Sequence, residues 1–147
     1  MNTRPKVGFI GLGAMGRGAA GNLLAKGFDV VGCDVRAEAL DWLRAQGGTP
    51  VSSLAEMASR VQIVVCFVVN SQQAEAVLFG DGGLVGELAA GTVFIACSTM
   101  DPGYVRGARR SARAARDLAG GRARHGRRGR CPARDIDNHG FRDSRGL

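Results

Sequence analysis

Between Lys6 and Asp34 the chain reads KVGFIGLGAMGRGAAGNLLAKGFDVVGCD: a short apolar run, glycines spaced G-x-G-x-x-G at Gly11, Gly13 and Gly16, an amphipathic stretch, a second apolar run and an acid. Gly11 permits the tight turn out of a strand, Gly13 lets backbone approach a pyrophosphate, and Gly16 lets the following helix lie close on the strand. The first-turn amides of that helix then face phosphate without help from a basic side chain. Met15, Ala19 and Leu23 form one helical stripe with Ala20 and Leu24 beside it, and Lys26-Gly27 closes the helix with a cation and a C′ glycine. Asp34 follows the last glycine at the distance where a carboxylate reaches the adenosine ribose hydroxyls. The same glycines would also serve a turn that merely packs helix on sheet. The order strand, turn, helix, strand, acid predicts instead a bound dinucleotide. The acid favours NAD, and NADP is admitted because Arg36, two residues on, can meet a 2′-phosphate.

The alternation continues downstream. RAEALDWLRAQ predicts a helix with Leu40 and Leu43 inward and Trp42 packing, ended by Gly47-Gly48. Ser53-Leu-Ala-Glu56 is a capping box opening a short helix, and VQIVVCFVV, rich in β-branched residues, predicts a strand buried on both faces. Gln72 to Phe79 suits a helix, Gly80 to Gly83 a turn, an amphipathic stretch carries Leu84, Val85 and Leu88, and TVFIAC predicts another buried strand. Strands alternating with helices predict an α/β fold with a doubly wound parallel sheet of Rossmann type. Ligands of such sheets bind beyond the carboxyl ends of the strands. That rule selects the glycine turn after Ile10, Val69-Asn70, and Ser98-Thr99. Asn70-Ser71 equally suits an ordinary turn, and Ser98-Thr99 before Asp101-Pro102 equally suits a helix N-cap with proline near N1.

With 147 residues the chain allows one domain with a modest core, and no apolar run approaches a membrane span. Arg4 and Lys6 precede an apolar stretch, but glycines break it and the fingerprint needs it, so no signal peptide is expected and the cytoplasm is the default. Cys33, Cys66 and Cys97 fall singly in strand-like segments and read as small core residues of a reduced protein; Cys131 has no ligand pattern around it, and no metal site is expected. The net charge of +7 hides a split: residues 1–105 carry seven Lys or Arg against nine Asp or Glu, and residues 106–147 thirteen Arg against four Asp. Both histidines, His125 and His139, lie in the second part, and the only lysines are Lys6 at a strand start and Lys26 at a helix end. No catalytic residue is assigned. Residues 1–105 read as a cofactor-binding half without its reacting half.

VGFIGLGAMGRGAAGNLL and CSTMDP resemble the N-terminal signature and the substrate-side segment of the β-hydroxyacid dehydrogenase family, whose best-known member is 3-hydroxyisobutyrate dehydrogenase. The match covers about residues 6–105, and VVNSQQAEAVLFGDGG with CSTMDP looks most like the L-threonate dehydrogenase branch. The resemblance implies oxidation of a small hydroxy acid by hydride transfer to a nicotinamide, with a catalytic lysine lent by an all-helical C-terminal domain, and homo-oligomeric intact relatives. It implies that Gly11, Leu12, Gly13, Ala14, Met15 and Gly16 line the pyrophosphate and that Asp34 holds the adenosine ribose. Val69 and Asn70 would border the nicotinamide ribose, with Thr99 and Ser98 between cofactor and substrate.

The family's DAPVSGG and GTLTIMASG segments do not follow; residues 106–147 are arginine-rich with few large apolar residues, which predicts a disordered tail and a truncated domain. Read one base later, however, the codons of Gly121 to Arg127 can spell DAPVTGG, and those of Arg134 to Arg142 can spell GTLTIMASG. One base gained, or two lost, near the codons for Val105 to Asp117 accounts for both, with an early stop. The competing reading takes the arginines at face value as an arm for nucleic acid or another polyanion. Apart from Phe141 it lacks interleaved aromatics for stacking, so no specific nucleic acid is expected.

Overall fold

The computed structural model describes residues 4–119. Five parallel strands, β1 (Val7–Ile10), β2 (Val30–Cys33), β3 (Thr49–Pro50), β4 (Ile63–Cys66) and β5 (Val93–Ala96), lie in the order β3-β2-β1-β4-β5. Val7 pairs in register with Val30 on one side and Ile63 on the other. The chain therefore leaves β1 in one direction, through β2 and β3, and returns to its opposite edge with β4. This reversal opens a crevice at the carboxyl ends of β1 and β4, the place where doubly wound sheets take ligands.

Helices α1 (Ala14–Ala25) and α2 (Ala37–Ala45) cover one face of the sheet, where Phe9, Leu12, Ala20, Val30, Ala39 and Leu43 form a buried cluster. On the other face α3 (Leu54–Ala58), α4 (Ser71–Phe79) and a 3₁₀ turn at Leu84–Gly86 enclose Ile10, Val31, Leu54, Met57, Val64, Val77 and Leu84. All four residues of β1 and of β2 are buried, as central parallel strands require. Each buried large apolar side chain contributes roughly 1.5–3 kcal/mol.

Local chemistry sets the element ends. Helix α1 closes with Gly27 N–H donating to the Leu24 carbonyl and Phe28 N–H to that of Leu23, the paired bonds of a Schellman end. Ser53 caps α3 by accepting from Glu56 N–H at 3.1 Å. The Glu56 carboxylate reaches back to the Ser52 amide at 3.2 Å instead of the cap residue's own.

Four expectations change. Met15 is 74% exposed and does not pack; Gly16 and Ala20 are the buried residues of α1, with Ala19, Leu23 and Leu24 alongside. Met15 belongs to the first turn, which projects beyond the strand ends. The run 61–69 forms a strand only at Ile63–Cys66, half-buried on its α1 side, and then leaves the sheet, carrying Val69 into solvent. Strand β5 is an edge strand covered mainly on the α4 side, so Val93 and Ile95 are 52% and 44% exposed, and Cys97 is exposed while Cys33 and Cys66 are buried. Finally, helix α5 (Pro102–Ala119) runs through the boundary expected at 105, so 106–119 is helical where sequence composition predicts a disordered stretch. Alanine and arginine are among the best helix formers. Asp101 starts the helix, accepting from the amides of Gly103 and Tyr104. His125, Cys131, His139 and the rest of the basic tail lie outside the described residues.

Candidate functional site

The chain turns out of β1 at Gly11, whose φ of +86° suits glycine. Its amide donates to the Cys33 carbonyl, and Phe67 N–H donates to the Ile10 carbonyl, so the ends of β1, β2 and β4 are laced together. A Cβ on Gly11 would stand 2.2 Å from the Phe67 carbonyl oxygen, and one on Gly16 2.1 Å from that of Gly11. These two glycines hold turn, helix and neighbouring strand at contact. A Cβ on Gly13 would meet nothing within 4 Å. Gly13 is the N-cap of α1, no side chain caps the helix, and Ala14 and Met15 are exposed. The α1 start is thus open backbone with unclaimed amides, which fits a pyrophosphate.

Leu12 has a structural part beside the one the resemblance implies. Its side chain is fully buried, and its amide donates at 2.6 Å to Oδ2 of Asp34. That amide braces the acid against the turn. Asp34 also accepts from the amide of Arg36 at 2.9 Å and from the Arg36 guanidinium at 3.1 and 3.2 Å. Burial works to raise the Asp34 pKa, but the Arg36 side chain and the two amides outweigh it and hold the carboxyl below its usual 3.8. A carboxyl depressed on folding contributes stability that is full above its unfolded pKa and is lost as pH falls through the folded one. The clasp between Asp34 and the turn should therefore persist at pH 4, losing strength only below 3.8. Acid unfolding of the chain compared with Asp34→Asn should show the variant's deficit at pH 7 closing in that low window; a deficit that closes above pH 5 contradicts it.

Arg17 is the residue that sequence reasoning missed. Its Nε donates to the Leu12 carbonyl at 3.0 Å, and its guanidinium lies 5.5 Å from the centre of the Trp42 ring. A basic side chain does stand beside the turn. Only the packing of Trp42 from α2 brings it there, and no local spacing signals that.

At the end of β4, Asn70 is the N-cap of α4. Its Oδ1 accepts from Gln73 N–H at 2.9 Å while Gln73 Oε1 accepts from Val69 N–H at 2.8 Å. Asn70 is thus a helix cap rather than part of an ordinary turn, and Val69, 84% exposed, is presented at the crevice edge. At the end of β5 a helix does start with Pro102 in its first position, but Asp101, not Ser98 or Thr99, caps it. Ser98 instead donates its hydroxyl to the Val68 carbonyl, tying the two strand ends together, and Thr99 is exposed.

A mostly apolar cavity of about 680 Å³ lies between α4, β5 and α5, lined by Leu78, Val85, Leu88, Phe94, Val105 and Ala108 among others and by Ser98 at the end of β5. No glycine-turn residue lines it, so it is not the place of the pyrophosphate. Among the described residues no three His, Cys, Asp or Glu side chains gather as a metal site, and no helix is long and apolar enough to cross a membrane.

Residues 6–119 match the family model described as the NAD binding domain of 6-phosphogluconate dehydrogenase. L-Threonate dehydrogenase of Cupriavidus necator is 48% identical over 98 residues, covering 67% of this chain and 33% of that protein. The enzyme of the same name from Haemophilus influenzae is 41% identical over 100 residues, again 67% of this chain and 33% of its own length. The crystal structure of 3-hydroxyisobutyrate dehydrogenase from Salmonella typhimurium superposes with a TM-score of 0.70 at 32% identity, over 75% of this chain and 38% of that one. The chain thus spans about a third of the length of the curated relatives it matches.

Proposed function

The chain belongs to the family of the NAD-binding domain of 6-phosphogluconate dehydrogenase, and from that membership we propose that it is the cofactor-holding half of a β-hydroxyacid dehydrogenase. In such an enzyme hydride passes between a nicotinamide and a small hydroxy acid of the L-threonate or 3-hydroxyisobutyrate type. The observation that carries the reading is the junction of glycine turn and acid: Leu12 N–H on Asp34 fixes a carboxylate beside open helix-start amides. Gly11, Leu12, Gly13, Ala14, Met15 and Gly16 frame the pyrophosphate, Asp34 takes the ribose diol, Val69 and Asn70 border the nicotinamide end, and Thr99 and Ser98 face the substrate side. When bound, the nicotinamide supplies the hydride acceptor; this chain's residues bind and orient it. The buried cysteines Cys33 and Cys66 suit a reduced, cytoplasmic setting.

Calorimetric titration of the 147-residue chain with NAD tests the reading. Asp34→Ala removes charged hydrogen bonds to ribose worth roughly 1.5–3 kcal/mol, about ten- to a hundredfold in affinity. Equal titrations for the two proteins would show that Asp34 does not hold the ribose.

The polyanion-arm reading gains nothing from the relatives, which are dehydrogenases. The shifted-frame reading of residues beyond about 105 is supported by how α5 packs. Ala108 and Ala112 are half-buried, and the cavity stays open beneath them. Such small residues against an apolar sheet are poor complements to it. Resequencing the DNA across the codons for Thr99 to Arg122 decides the matter: an extra base absent from the new read establishes a misread gene, and its confirmation retains the basic sequence.

A further inference from the structure

Both oxygens of the Asp34 carboxylate are fully engaged. Oδ1 accepts from the Arg36 amide and from Arg36 Nε, and Oδ2 accepts from the Leu12 amide and from Arg36 Nη2. A carboxylate offers about four acceptor positions, so a ribose diol arriving at Asp34 finds none vacant. Two of the four donors are backbone amides that shape the turn and stay. The other two belong to one guanidinium, on a side chain that is 46% exposed. Ribose recognition therefore requires Arg36 to leave.

The released guanidinium has a place to act. Arg36 Nη2 also donates to the Leu12 carbonyl, the oxygen that Arg17 Nε shares. Two arginines thus converge on one acceptor at the adenosine end of the crevice. Arg36 is balanced by Asp34, whereas Arg17 makes no ion pair among the described residues and rests on Trp42. The local charge is positive by one, a setting for a phosphate monoester beside the acid that reads the diol.

We propose that Arg36 is a latch on the ribose-reading carboxylate: it competes with the diol of NAD for Asp34, which can take the diol only once Arg36 has swung away. This rests on the cofactor-binding reading above, in which Arg36 can meet a 2′-phosphate, and adds the competition between Arg36 and the diol. The latch lowers apparent NAD affinity by the fraction of time Arg36 is closed.

The test is titration of the full chain and of Arg36→Ala, Arg36→Lys and Arg17→Ala with NAD and with NADP, each variant first shown to melt as the parent does. Arg36→Ala should bind NAD about two- to fivefold more tightly, since an ion pair whose guanidinium is half exposed closes the site only partly, and NADP about tenfold or more weakly. Arg36→Lys, which keeps the charge but loses the fork, should also tighten NAD while retaining most NADP binding. Arg17→Ala should weaken NADP alone. A guanidinium acting only as a general attractor for phosphate predicts that Arg36→Ala weakens both cofactors, and that result, or NAD affinity unchanged, overturns the latch. Failure of the parent chain to bind either cofactor would overturn the cofactor reading itself, and the latch with it.

Discussion

Alanine at Gly16 should cost the domain about 3 kcal/mol or more of stability and remove cofactor binding with it. The added carbon would lie 2.1 Å from the Gly11 carbonyl oxygen and 3.1 Å from its carbon, both backbone atoms that no side-chain rotation can move aside. Relief requires α1 to lift from β1, and α1 carries Ala20 into the cluster with Phe9 and Leu43. Gly11→Ala is expected to be as severe, because a positive φ is added to a 2.2 Å approach to Phe67. Against a total stability of roughly 5–15 kcal/mol, either change removes a large share. Gly13→Ala is the contrast. Its Cβ meets nothing within 4 Å, so stability should fall by only about 1 kcal/mol or less, the cost of a poorer N-cap, while the methyl occupies the space a pyrophosphate needs. Urea unfolding and NAD titration of the three variants separate the packing glycines from the binding one. A Gly16→Ala midpoint equal to wild type would show that the close approach is not a structural constraint.

The contrast also shows which features could be read from sequence. Glycine spacing and Asp34 are legible because their chemistry is local: the turn needs particular residues at fixed offsets, and Arg36 is two residues from the carboxylate it latches. Helix ends at Lys26-Gly27 and Ser53 are legible for the same reason. The exposure of β5 is not, because a run such as TVFIAC states only that a strand forms; whether it is buried depends on what covers each face, and its α1-side face has little cover. Met15 and Arg17 fail for a related reason. Helical periodicity assigns faces, but the first turn of α1 overhangs the sheet, and Arg17 acquires its place from Trp42 of another helix. In α5 composition misleads in the opposite sense. Alanine and arginine give no core, yet both propagate a helix once Asp101 has started it.

No hydroxy-acid-dependent formation of NADH is expected from the 147-residue chain, even where NAD binds. Taking a hydride from an alcohol carbon leaves a hydroxyl proton that needs an acceptor within hydrogen-bond reach, and that positioned acceptor is worth about 10²–10⁴ in rate. At the carboxyl ends of the strands stand Val69, Asn70, Ser98 and Thr99, none of which titrates near neutral pH. Cys66 ends β4, but burial pushes its thiol up to about 12, so it stays protonated and inert. Lys6 precedes β1 and lies about 15 Å from the glycine turn at the rise of a strand. Lys26 caps the far end of α1, about 18 Å from the amides that start it. Asp34 titrates too low to serve, and its oxygens are engaged with Leu12 and Arg36. On the proposed reading these residues hold and orient a cofactor, and among the described residues at the strand ends none is placed to take the proton. Absorbance at the NADH band with L-threonate or 3-hydroxyisobutyrate should stay at the no-enzyme rate across pH 7 to 10. A rate that saturates in hydroxy acid and disappears in Asp34→Ala would place a proton acceptor within this chain.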